Sequence, residues 1–85
     1  MSYEIFWKKE AVKDLDKFEL KDKQRIIDKI EQFAEYPDRK RNIKYIEKYG
    51  CMRYRIGYFR VYFLKKKKKK RIDILAIDKR HQAYR

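Results

Sequence analysis

Two alternating runs separated by a glycine constrain the fold of this 85-residue chain more than any other feature. The segment Met52–Phe63 reads MRYRIGYFRVYF, and successive side chains of a strand point to opposite faces. One face therefore carries Met52, Tyr54, Ile56, Phe59, Val61 and Phe63. The other carries Arg53, Arg55, Tyr58, Arg60 and Tyr62. We predict two strands that cover a core with the apolar face and leave the basic face uncovered.

The remaining apolar spacing predicts a strand, two helices and further strands. Tyr3–Lys8 alternates as a strand does. The period then becomes helical, first in Ala11, Leu15 and Phe18 and then in Ile26, Ile27, Ile30, Phe33 and Ala34. Pro37 ends the second helix, because proline disfavours the helical conformation of the residue before it. Ile43–Glu47 and Ile72–Ile77 read as two more strands.

This order of elements predicts one α+β domain over residues 1–85. It consists of an N-terminal strand, a two-helix hairpin and then a three- to four-stranded antiparallel sheet, with the helices on one face. The chain has 44% hydrophobic residues, enough to form a core despite its high charge. We see no internal repeat and no linker that would divide it.

The net charge of +13 is concentrated in the second part of the chain. Residues 1–38 carry 8 Lys and Arg against 10 Asp and Glu, whereas residues 39–85 carry 18 against 3, which gives −2 and +15. A positive field of this size on a small fold is typical of proteins that bind polyanions. Nucleic acid fits better than an anionic membrane, because the basic half alternates like strands and forms no basic amphipathic helix.

Cysteine use and the N-terminal residues favour a cytoplasmic location. Cys51 is the single cysteine, so no intrachain disulfide can form and no metal-ligand spacing is present. It is predicted to be a small structural residue. Met1–Lys9 has no apolar run of signal-peptide length, and no stretch approaches 18 apolar residues.

Two motifs resemble the RelE and ParE toxin superfamily. The MRYRIGYFRVYF segment is similar to a family pattern of alternating basic residues, a glycine turn and YRVxY. The segment IDKRHQAY, Ile77–Tyr84, is similar to a terminal RxxAY. The resemblance covers essentially the whole chain, and it implies a RelE-like microbial ribonuclease fold.

The resemblance also implies an activity and partners. RelE toxins enter the ribosomal A site and use the 2′-hydroxyl of the mRNA to attack the adjacent phosphate, which leaves a 2′,3′-cyclic end and requires no metal or cofactor. A RelB-like antitoxin wraps the toxin and blocks its basic face. ParE members share the fold but poison DNA gyrase, so the fold alone does not decide the activity. A non-catalytic RNA-binding module is a third interpretation.

The ribonuclease reaction needs a base, cations for the developing phosphorane charge and a proton for the leaving oxygen. By the resemblance, Arg60 falls on a phosphate-contacting arginine, and Arg80 and Tyr84 fall on the terminal arginine and tyrosine. The tyrosine would stack on a base. Arg53 and Arg55 fall where a pair of lysines often stands, which is a departure from the pattern.

That departure leaves the base unassigned, because arginine stays protonated, although it grips phosphate bidentately. Histidine is the residue type that titrates near neutrality, so we assign acid or base duty to His81. The alternative is that His81 is an exposed bystander. Arg53 and Arg55 could equally be solvated residues that bind ribosomal RNA by charge.

A lysine run joins the last two predicted strands. It is expected at a hairpin tip or a solvated strand extension, since such a run cannot pack inside. The run is predicted to bind RNA through Lys65, Lys66, Lys67, Lys68, Lys69, Lys70 and Arg71. Its alternative role is that of a solubilising loop.

Overall fold

The computed structural model describes residues 2–79, which form two helices and one five-stranded sheet. In chain order the elements are β1 (Glu4–Trp7), α1 (Lys9–Asp16), α2 (Leu20–Glu35), β2 (Ile43–Ile46), β3 (Cys51–Ile56), β4 (Phe59–Lys66) and β5 (Arg71–Lys79). Neither helix in this part of the chain is long and apolar enough to cross a membrane. The predicted α+β class and order of elements are confirmed.

The sheet has one strand more than predicted and is not wholly antiparallel. Its order is β1-β5-β4-β3-β2. The four later strands are antiparallel neighbours, as expected. β1 adds a parallel edge beside β5, from Glu4 opposite Arg71 to Trp7 opposite Ile74. Alternation in Tyr3–Lys8 predicts a strand but carries no information about its neighbour, which is why the predicted sheet of three or four strands was too small.

The core lies between the two helices and one face of the sheet. Its buried residues are Ala11, Ile26, Ile30, Phe33, Ala34, Tyr54, Ile56, Phe59, Val61, Phe63, Ile72, Ile74 and Ile77. The Phe33 ring centroid lies 5.1 Å from that of Phe63, and Phe18 lies 4.7 Å from Phe59. Each fully buried Ile or Phe contributes about 1.5 to 3 kcal/mol, so this face fixes which side of the hairpin is left open. The predicted helix side of β3 and β4 is confirmed.

A two-residue turn, Gly57–Tyr58, sets the register of β3 and β4. Gly57 has φ +61°, which only glycine adopts without strain. A Cβ at this position would also lie 3.0 Å from Nη1 of Arg25 on α2. The turn places Ile56 opposite Phe59 and, one step along, Arg55 opposite Arg60. A tight glycine turn therefore brings the two halves of the basic motif together.

Candidate nucleic-acid interface

The sheet face away from the helices carries basic, aromatic and acidic side chains, and we call it the open face. Cross-strand register and alternation define its members. They are Glu4 and Phe6 on β1, Lys44 and Ile46 on β2, Cys51, Arg53 and Arg55 on β3, Arg60, Tyr62, Leu64 and Lys66 on β4, and Arg71, Asp73, Ala76 and Asp78 on β5.

Cations face each other directly at two places on the open face. Arg55 lies opposite Arg60, and Lys44 lies opposite Arg53. Directly opposed like charges destabilise a sheet. An anion bound over them would offset that cost, so the pairing favours a phosphate-binding role over an inert solvated surface. Arg55 is exposed, whereas Arg53 and Arg60 are half-buried.

Arg60 is held by one carboxylate. Its Nη2 donates to Oδ2 of Asp78 at 3.2 Å, and the two residues are direct partners in the β4 and β5 register. The Nε of Arg60 is buried and has no hydrogen-bond partner among residues 2–79. A buried unsatisfied donor costs about 1 to 3 kcal/mol. Since a guanidinium has five N–H donors, most of the donor capacity of Arg60 is not used by Asp78.

Two tyrosines form an aromatic wall beside this pair. Tyr49, in the turn between β2 and β3, folds over the open face and meets Tyr62 edge to face, with centroids 5.8 Å apart. The Nζ of Lys48 lies 5.6 Å from the Tyr49 ring centroid. The exposed part of such a wall can stack on a nucleobase. A shallow cavity next to it is lined by Asp14, Tyr49, Cys51, Tyr62, Leu75, Ala76, Ile77 and Asp78.

Cys51 closes the floor of this cavity and is buried. Burial raises the pKa of the Cys51 thiol, so the thiol is poorly suited to act as a nucleophile. The prediction of a small structural cysteine agrees with this position.

Asp14 secures the end of β5 that borders the cavity. Beyond Trp7 the strand β1 ends, and Oδ2 of Asp14 accepts the backbone N–H of Ile77 at 2.9 Å. A buried backbone donor requires a partner, and here a helix carboxylate supplies it where the neighbouring strand has stopped. The end of β5 that carries Asp78 is thereby tied to α1.

The lysine run occupies the opposite end of the same two strands. Lys65 and Lys66 belong to β4, residues 67–70 form the turn and Arg71 begins β5. The Nζ of Lys65 donates to the carbonyl oxygen of Pro37 and lies 3.6 Å from Asp38. The turn confirms the predicted hairpin tip. Lys65 and Lys66 lie half-buried, because their long aliphatic stems pack against the protein while their charges find partners.

Asp73 is the partner at the base of this turn and is 2% exposed. Its carboxylate accepts from Nε of Arg71 at 2.7 Å and from Nη2 at 3.2 Å, and it lies 3.2 Å from Nζ of Lys66. The hydrogen bonds from Arg71, with help from Lys66, lower the pKa of Asp73 despite its burial. The guanidinium of Arg71 also lies 5.4 Å from the Phe6 ring centroid. These contacts fix the start of β5 against the end of β4.

The structure brings Arg53, Arg55 and Arg60 onto one face, and it separates them from the lysine turn. From Arg60 to Lys66 the strand runs about 20 Å, at roughly 3.3 Å per residue. Arg80, His81 and Tyr84 lie outside the described residues. Within residues 2–79 there is no cluster of three His, Cys, Asp or Glu that could hold a metal ion.

Sequence reasoning missed Asp78, Tyr49 and Asp73. Asp78 is adjacent to the terminal motif, but its pairing with Arg60 depends on the register of β4 and β5. That register shifts at Tyr62 and Phe63. No local sequence pattern predicts such a shift. Asp73 was predictable, because a single acidic residue inside an apolar strand indicates a buried ion pair.

Comparisons with known proteins agree with this fold. A family model described as the ParE toxin of type II toxin–antitoxin systems matches residues 5–84. The archaeal RelE–RelB complex of Pyrococcus horikoshii is similar in structure, with a TM-score of 0.82 and 25% identity, covering 98% of this chain and 100% of that one. The RelBE2 toxin–antitoxin complex of Mycobacterium tuberculosis has a TM-score of 0.81 and 20% identity, covering 94% of this chain and 100% of that one. The intact Escherichia coli RelBE toxin–antitoxin complex has a TM-score of 0.79 and 16% identity, covering 95% of this chain and 100% of that one. No curated protein sequence matches the chain.

Proposed function

Because the chain belongs to the ParE toxin family of type II toxin–antitoxin systems, within the RelE/ParE superfamily, we propose that it is a toxin that cleaves mRNA on the ribosome. The observation that most supports this activity is the direct opposition of Arg55 and Arg60 on an open sheet face beside the Tyr49 and Tyr62 wall. Paired cations suit a phosphate, and an adjacent aromatic wall suits the base that the phosphate carries.

The proposed reaction is attack by a 2′-hydroxyl on the neighbouring phosphate, which produces a 2′,3′-cyclic phosphate and a 5′-hydroxyl end. Arg60, with Arg55 and Arg53 beside it, stabilises the charge that develops on the phosphoryl oxygens. Arg80 adds a further cation, His81 protonates the leaving oxygen and Tyr84 stacks on a base, as the family motif implies. The reaction uses no metal ion or cofactor.

The lysine turn contributes affinity by charge. Its distance of about 20 Å from Arg60 places it beyond the scissile phosphate, so we assign residues 67–70 to contacts with another stretch of RNA backbone, such as ribosomal RNA. Electrostatic contacts of this kind raise the association rate and weaken with salt.

An antitoxin is the proposed partner in the cell. The similar structures from Pyrococcus horikoshii and Mycobacterium tuberculosis are complexes with antitoxins. The opposed cations of the open face would gain stability from an acidic segment of a RelB-like antitoxin, and a partner that binds only the folded toxin stabilises it by mass action. Both partners would act in the cytoplasm.

Inhibition of DNA gyrase is the second candidate, and the match to the ParE family model favours it. One experiment separates the two. The toxin is added to a translating extract and new mRNA 5′ ends are mapped, while gyrase-dependent supercoiling is assayed in parallel. Cleavage at a fixed position within codons is expected. Intact mRNA with blocked supercoiling would instead establish the gyrase activity.

A further inference from the structure

The open face holds a carboxylate beside its central arginine. Asp78 accepts a hydrogen bond from Arg60 at 3.2 Å. The Asp78 side chain is 54% exposed, against 22% for that of Arg60. The carboxylate is therefore held at a defined place by a half-buried cation while remaining accessible to a ligand on the open face.

The proposed ribonuclease reaction lacks a base within the described residues of the basic motif. The guanidinium groups of Arg53, Arg55 and Arg60 are hydrogen-bond donors without an acceptor, so they cannot take a proton. A carboxylate can take one. On the basis of the function proposed above, we propose that Asp78 is the general base that takes the proton from the attacking 2′-hydroxyl.

The geometry suits this role because Arg60 can serve two anions at once. One edge of its guanidinium contacts Asp78, and the remaining donors can contact a phosphate oxygen. The 2′-hydroxyl belongs to the ribose whose 3′-oxygen carries that phosphate. A phosphate bound at Arg60 therefore brings the nucleophile to the side of Asp78.

The step balances as a transesterification. Asp78 takes the proton of the 2′-hydroxyl while the 2′-oxygen bonds to phosphorus. The bond from phosphorus to the 5′-oxygen breaks, and that oxygen takes a proton from His81 or from water. The products are a 2′,3′-cyclic phosphate and a 5′-hydroxyl. Asp78 then returns its proton to solvent.

The groups around Asp78 come from four other elements. On β4 it lies opposite Arg60, and Arg55 of β3 lies just beyond Arg60. Tyr62 of β4 lies opposite Ala76 and lines the same cavity as Asp78. Asp14 of α1, Tyr49 of the β2 to β3 turn and Cys51 of β3 line the same cavity. Asp14 is the competing carboxylate, but it is committed to the backbone N–H of Ile77 at 2.9 Å. Asp78, in contrast, accepts a hydrogen bond from Arg60, the residue that we propose binds the phosphate.

The test is single-turnover cleavage of mRNA on programmed ribosomes by the full chain. Asp78→Asn keeps an acceptor oxygen for Arg60 but removes the base. We expect its rate at saturating ribosome to fall by about 10² to 10⁴, the usual contribution of a general base, with the half-saturating ribosome concentration nearly unchanged. Asp78→Glu keeps a carboxylate at this position, so it should cleave much faster than Asp78→Asn.

Asp16→Asn is the matched control, because Asp16 is an exposed aspartate on α1 with one distant ion pair at 3.9 Å. It should behave as wild type. A rate for Asp78→Asn that equals or exceeds the wild-type rate would overturn the proposal, and an increase would identify the carboxylate as a mask on Arg60. An Asp78→Glu variant as slow as Asp78→Asn would overturn it as well, because a carboxylate would then be no better than an amide at this position. A wild-type chain that cleaves nothing would refute the proposed function before any variant is compared.

Discussion

Two aspartates on the open face of β5 are each bonded to an arginine, yet they differ in nearly every other respect. The Asp73 side chain is 3% exposed and contacts both Arg71 and Lys66. The Asp78 side chain is 54% exposed, and among residues 2–79 its side chain pairs with Arg60 alone. Along β4 their partner positions, Leu64 and Arg60, lie only about 13 Å apart. Both aspartates pair with an arginine, so the pairing itself does not distinguish their roles. Burial and a second cationic partner make Asp73 a structural carboxylate, whereas exposure leaves Asp78 able to act on a substrate.

The same contrast applies to their arginines. Arg71 uses two of its nitrogens on Asp73 and packs over Phe6, whereas Arg60 uses one on Asp78 and faces a second arginine across the strand pair. Arg71 is thus paired closely with a buried carboxylate at the base of the lysine turn. Arg60 lies opposite Arg55 and keeps most of its N–H donors unused by Asp78, so it can still bind a phosphate.

The largest expected effect follows from removing each of these arginines in turn. Arg60→Ala should reduce the single-turnover cleavage rate by on the order of 10², because it removes a positioned cation from the developing phosphorane. Arg71→Ala should reduce that rate only a few-fold at saturating ribosome. Rates measured side by side on programmed ribosomes check this, with Arg39→Ala as a control for the loss of one exposed charge. Equal reductions in the two variants would mean that the two ends of the open face do not differ in function.

The second effect concerns stability and should have the opposite order. Asp73→Asn should lower the free energy of unfolding by about 2 kcal/mol, the range for removal of a hydrogen bond to a charged group. Asp78→Asn should change it by less than about 0.5 kcal/mol, because exposed ion pairs contribute little. Urea unfolding followed by circular dichroism gives both values. An Asp78→Asn variant destabilised as much as Asp73→Asn would show that the exposed pair is structural too.

The third prediction concerns how the stabilisation by Asp73 depends on pH. Its pKa is lower in the folded protein, chiefly because of the hydrogen bonds from Arg71, so its stabilisation is complete above the pKa of the unfolded chain, near 3.9. That stabilisation disappears as the pH falls through the lower, folded value. The difference in unfolding free energy between wild type and Asp73→Asn should therefore be constant from about pH 5 to pH 7 and shrink below about pH 4. A difference that does not change in acid would mean that the ionised carboxylate is not what stabilises the turn.

The sequence alone predicted the features that depend on local spacing. Alternation in Met52–Phe63 identified both the core side and the basic side of the hairpin correctly. Phe59, Val61 and Phe63 share one face of their strand, so burying all three requires that face to be the core side. The parallel pairing of β1 and the contact between Arg60 and Asp78 were not predictable. Both depend on register between segments far apart in the chain, and the β4 to β5 register is displaced by a bulge.

The candidate site was predicted only in part for the same reason. Arg53, Arg55 and Arg60 were placed on one face by a period of two, which is a local property. The division within the lysine run was missed, because Lys65 and Lys66 look the same in sequence as the residues that follow. What distinguishes Lys66 is a buried aspartate seven residues later, which the turn brings within 3.2 Å of its Nζ. His81 as the acid remains a prediction.

The smallest expected effect concerns the lysine turn and separates its exposed part from its anchored part. Lys67, Lys68 and Lys69 are exposed, so changing all three to Gln should alter the free energy of unfolding by less than about 0.5 kcal/mol. The same change should flatten the dependence of RNA binding on salt. The logarithmic slope should fall by about 0.7 for each single-stranded phosphate that the lysines no longer neutralise, or by about 0.9 for each duplex phosphate.

Lys66→Gln is the comparison variant for this triple change. It removes a partner of buried Asp73, so it should lower the free energy of unfolding. The logarithmic salt slope of RNA binding should change by no more than the value for one phosphate contact. Titration of a labelled RNA at several salt concentrations measures the slope for both variants. An unchanged slope in the triple variant would show that the turn touches no RNA, and its lysines would then serve solubility alone.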